Sequence, residues 1–91
     1  MEPEDLVDGV DSKQAFLHFL EALLHDKQAS SAQEVESPSS PYGPAAKGWE
    51  NTSIEAFLAA ILAWAESSDR LAEEPSWPAF ARMFLAGKYY E

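Results

Sequence analysis

The chain has 91 residues, enough for one small domain at most. Sixteen acidic residues against six basic ones give a net charge of -10, which disfavours nucleic acid and anionic membranes, since both bind through Lys and Arg. There is no cysteine, so disulfide frameworks and thiolate metal sites are excluded.

Residues 1–10 are acidic and lack the basic and apolar regions of a signal peptide. The expectation is a cytoplasmic protein with a flexible, loosely docked N-terminus. Asp5, Asp8 and Asp11 surround Gly9, but they do not make a calcium loop. Aligning Gly9 with the EF-hand glycine puts Leu6 and Ala15 at ligand positions.

A first helix is expected from Ser12 to Lys27, opened by a capping-box-like pair, Asp11 and Gln14. Phe16, Leu17, Phe19, Leu20, Leu23 and Leu24 form its apolar stripe. His18, Glu21 and His25 lie opposite, at i, i+3 and i+7. Three such side chains on one helix face could hold zinc or iron with open positions for substrate. Their His-x-x-Glu order reverses that of di-iron bundles, and no second helix offers inward partners. The plainer reading is a solvated polar face.

Residues 28–48 are rich in Ser, Pro, Gly and Ala and read as a long loop. Its first part, residues 28–40, reads as a mobile polar linker. Tyr42 to Trp49 reads as a turn-rich segment with aromatics to bury. Loops held by a rigid scaffold often carry binding residues, which makes this segment the candidate site.

A second helix is expected within Trp49 to Ser67, opened by a capping box of Thr52 and Glu55 and ended by Ser67, Ser68 and Asp69. Ile54, Phe57, Leu58, Ile61, Leu62 and Ala65 share one face, and four alanines make most of the other. A helix apolar almost all round is expected to be central, covered on more than one side. Its apolar run is too short to span a membrane, which takes roughly 20 residues.

A third helix is expected to start at Ser76, with Trp77, Phe80, Ala81, Phe84 and Leu85 on one face and Gly87 as its stop. Glu73 and Glu74 sit in the preceding linker, without the burial that separates the pKa values of catalytic carboxylates. No serine has a nucleophile-elbow context. The fold class is therefore all-α: three principal helices around one aromatic-rich core, with residues 1–91 as a single domain.

The residues Trp49-Glu50-Asn51-Thr52, Trp64, Trp77, Phe80-Ala81, Gly87-Lys88 and Tyr90-Glu91 carry a resemblance. On them the chain resembles a family of small uncharacterised bacterial proteins. It departs in a longer connection between the first two helices and a shorter one between the last two. The resemblance implies a domain of unknown function, with no catalytic residues to carry over.

The leading functional expectation is an acidic protein-interaction module, immunity- or inhibitor-like, that binds a partner with a basic surface. Tyr42, Trp49 and Glu50 are the binding candidates. The alternative is a small-molecule or metal-binding protein with weak enzyme activity through His18, Glu21 and His25. No cofactor and no catalytic residue is expected, and the chain should be a monomer or a weak homodimer.

Overall fold

The computed structural model describes residues 2–40, 43–67, 71 and 73–90. Along the chain come α1 (Pro3–Leu6), a tight helical turn (Val7–Gly9), α2 (Lys13–Glu36), a second turn (Ala46–Gly48), α3 (Ile54–Ser67) and α4 (Trp77–Tyr89). Among the described residues there is no strand, only an isolated bridge between Ala45 and Trp49. No helix among them is long and apolar enough to cross a membrane.

Each long helix starts on a serine whose hydroxyl accepts the amide three residues on. Ser12 caps Ala15 at 3.2 Å, Ser53 caps Ala56 at 3.0 Å and Ser76 caps Ala79 at 3.2 Å. The first two caps correct the sequence expectation by one residue. Gln14 and Glu55 therefore fall at the second helical position, where they cannot complete a capping box.

α2 is longer than expected. It continues through residues 28–36 instead of ending at Lys27, and so takes up the first part of the stretch 28–48 expected as a loop. Gln, Ala and Glu in that stretch are good helix formers, and no Gly or Pro interrupts them. Pro38 provides the stop by driving Ser37 out of the helical region, to φ -145 and ψ 84.

The centre of the fold is α4, not α3. Both α2 and α3 pack on α4 and make little contact with each other. Ala81 and Leu85 of α4 join Phe19 and Leu23 of α2, Trp49, Val7 and Val10 in one core. The rings of Trp77, Phe84 and, through Phe84, Phe57 extend it, with Phe16 against the first two. The N-terminal stretch expected to be loosely docked thus supplies two core valines, and Pro3 is buried too.

α3 is turned about its axis from the face expected, with Phe57, Ile61 and Ala65 of that face still half-buried and Ala59 and Ala63 of the alanine side exposed. Ala60 and Trp64 are buried, while Ile54, Leu58 and Leu62 stand in solvent. Trp64 has the larger body and takes the covered side, and small Ala60 one turn before it lets α3 approach α4. Gly87 belongs to the same close approach. A Cβ there would fall 2.5 Å from the Phe57 ring, so Gly87 is an interior packing position, and α4 runs past it to Tyr89. Tyr90 packs back, its hydroxyl 2.7 Å from Ser67 Oγ.

Candidate functional site

The core stripe of α2 does not stay apolar. Phe19 and Leu23 are followed on the same face by Asp26 and Ser30, both buried. Asp26 meets Lys88 of α4, which is 2% exposed. Lys88 Nζ donates to Asp26 Oδ2 and to Glu4 Oε2, each at 2.7 Å. Trp49 Nε1 donates to the same Asp26 oxygen at 2.9 Å, and its ring lies 5.5 Å from the Lys88 ammonium. Burial works against the charge on Lys88, but its hydrogen bonds to Asp26 and Glu4 outweigh that and raise its pKa.

The neighbouring chain is tied to the same end of α4. The Lys88 carbonyl accepts the amides of Glu50 and Asn51, each at 3.1 Å. The Asn51 side chain donates to the carbonyls of Gly87 and Tyr90, at 3.1 and 3.0 Å. These are helix-end carbonyls that lack partners within the helix. A tight turn delivers the segment, with Lys47 at φ 63 and Gly48 at φ 80. Glu34 holds the chain that enters that turn, accepting from Ser39 N at 2.7 Å and Ala46 N at 2.9 Å. The bonds from Ser39, then Ala46, lower its pKa.

Above this anchorage lies an open, almost wholly apolar slot of about 340 Å³ between α2 and α3. Leu20 and Leu24 form one wall, Ile54 and Phe57 the other, and Trp49 and Phe84 the floor. Its walls continue into solvent. Leu24 is 55% exposed and Ile54 77% exposed, and Leu58 and Leu62 repeat at four-residue steps from Ile54. This is contiguous exposed apolar surface on an otherwise acidic chain.

Residues 12–91 match a family of unknown function, DUF7660. The chain belongs to the DUF7660 family. No curated protein and no solved structure matches it.

The sequence candidates in this DUF7660 chain are scattered. Trp49 is buried and hydrogen-bonded, so it serves as slot floor and core strut and does not project as an anchor. Glu50 is exposed beside it, and Tyr42 lies outside the described residues. His18, Glu21 and His25 are all exposed on α2. Among the described residues, no group of three or more His, Asp or Glu could hold a metal ion. Of the apolar slot residues the sequence reading names Trp49 as a binding candidate, and it assigns Leu20, Leu23, Leu24, Ile54, Phe57 and Phe84 to the core. Asp26 had a signal: an acid in phase with Phe19 and Leu23 stands on a buried face. Lys88 had none, since its partners are 62 and 84 residues away.

Proposed function

We propose that this DUF7660 member is an acidic protein-interaction module of the immunity or inhibitor kind, which binds a partner with a basic surface. The observation that carries the reading is the apolar slot, walled by exposed Leu24 and Ile54, on a chain of net charge -10. Apolar contact supplies the affinity, and the acidic surround steers encounter with a positive partner. Glu50 belongs to that surround, and Trp49 shapes the floor on which the partner rests.

The test takes a partner captured by the full chain and follows association across a salt series. The screening length shrinks from about 30 Å at 0.01 M to about 8 Å at physiological ionic strength. The association rate should fall steeply over that range while dissociation changes little. A salt-independent association rate overturns the charge-steered reading.

A further inference from the structure

We infer that the slot seats a single amphipathic α-helix of the partner, with an apolar face against α2 and α3 and Lys or Arg along its flanks. This rests on the interaction reading and specifies what enters the site.

The first argument is architectural. α2 and α3 both lie on α4 and scarcely touch each other, so the arrangement has an empty helix position between them. Four-helix bundles fill that position with a helix that packs its apolar stripe on both neighbours. Here the two neighbours already offer matching stripes. Leu17 and Leu24 are exposed seven residues apart on α2, and Ile54, Leu58 and Leu62 are exposed four apart on α3. These are helical repeats, the pattern read by a visiting helix with anchors at i, i+3, i+4 and i+7. The described residues contain no strand edge on which an extended peptide could add itself. From Ile54 to Leu62 the exposed stripe of α3 that leads out of the slot is about 12 Å long, at about 1.5 Å per residue, which two to three turns of helix would cover.

The second argument is charge. Glu21 on α2 and Glu55 and Glu66 on α3 are exposed on the helices that wall the slot. Among the described residues Lys27 is the one basic side chain lining it, and its ammonium is engaged, 2.8 Å from Ser31 Oγ and 5.7 Å from the Trp49 ring centre. A helix with basic flanks is therefore attracted. A second copy of this chain brings another -10 and is repelled.

The experiment titrates the full chain with three synthetic peptides of about 14 residues, roughly four turns. One carries leucines at helical spacing with lysines elsewhere. A second has the same composition with the spacing scrambled. A third keeps the leucine pattern and replaces every lysine with glutamate. The first should bind at least about tenfold more tightly than either control. The double variant Leu24→Ser, Ile54→Ser should lose about tenfold or more while keeping the parent's melting curve, since both side chains line the slot and are exposed. Val35→Ser, an exposed apolar change off the slot, should bind as the parent does.

Equal binding of all three peptides, or full binding by the double variant, overturns the inference. So does sedimentation showing a dimer of the chain that the double variant abolishes, because the occupant is then a second copy. The two proposals fail separately. If a captured partner associates with salt dependence but ignores the double variant, the interaction reading stands and the helix slot falls.

Discussion

Two regions on opposite sides of Trp49 reverse the usual distribution of polarity. Around the end of α4, Lys88 and Asp26 are buried and joined by Glu4. Around the slot, Ile54, Leu58 and Leu62 face solvent. The difference teaches that coverage follows from what can pack and pair, not from hydropathy position by position. Lys88 is admitted to the interior because two carboxylates and an aromatic ring meet it there. The leucines of α3 stay outside because Trp64 and Ala60 already fill the space toward α4.

The largest expected effect comes from breaking the buried side of the comparison. Lys88→Met leaves Asp26 buried without its counter-ion and should cost about 3–5 kcal/mol, read from denaturant unfolding. Adding Asp26→Leu should recover part of that loss, because the uncompensated charge is gone. Retention of parental stability by Lys88→Met alone would place the lysine outside any stabilising role. Alkaline unfolding provides a second check. The folded pKa of Lys88 is raised, so its contribution is complete below the ordinary lysine value of 10.5 and fades as pH rises through the folded value. The Lys88→Met chain should lose that alkaline dependence.

Gly87 stands on the border between the regions, beside Lys88 in sequence and against the Phe57 ring that walls the slot. Gly87→Ala should cost about 1–3 kcal/mol through overpacking. Phe57→Leu in the same chain should relieve part of the clash, giving a non-additive double-mutant cycle. Additive losses would mean that the two positions do not press on each other.

The exposed side should respond far less. Leu58→Ser should leave stability within about 0.5 kcal/mol of the parent, because a half-exposed side chain away from caps and cavities has little to lose. A melt depressed as far as that of Lys88→Met would show Leu58 to be covered in solution.

The smallest effect concerns the turn that delivers Trp49. The folded pKa of Glu34 is lowered, so its hold on Ser39 and Ala46 is complete above the ordinary glutamate value and is lost as pH falls through the folded value. Amide exchange at Ala46 should gain relative protection loss on acidification, and Glu34→Gln should abolish the change. The melting temperature should hardly move.

The helices were legible in the sequence because apolar spacing and serine caps are local signals. Ser76 and the end of α3 at Ser67 could be read directly, as could the burial of Trp64. The second half of α2 was hidden because residues 28–36 carry no apolar stripe, and composition there resembles a linker. The exposed side of α3 was hidden for the opposite reason. A helix apolar all round has no phase, so its sequence cannot say which side is covered. The slot was illegible on the same account, since it exists only where α2 and α3 fail to meet. The Lys88 cluster joins three distant segments, and only Asp26 left a local trace.

The ion pair of Glu4 with Lys88 also orders events during synthesis. Glu4 and Asp26 leave the ribosome while α4 is still unmade, and the core that Val7 and Val10 complete lacks Ala81 and Leu85 until then. No earlier stage offers these carboxylates a buried cation. The fold therefore closes late and through contacts of long sequence separation, a topology that slows folding relative to a bundle of neighbouring helices. A nascent chain held short of α4 would expose the leucines of α2 and α3 together, with no floor between them.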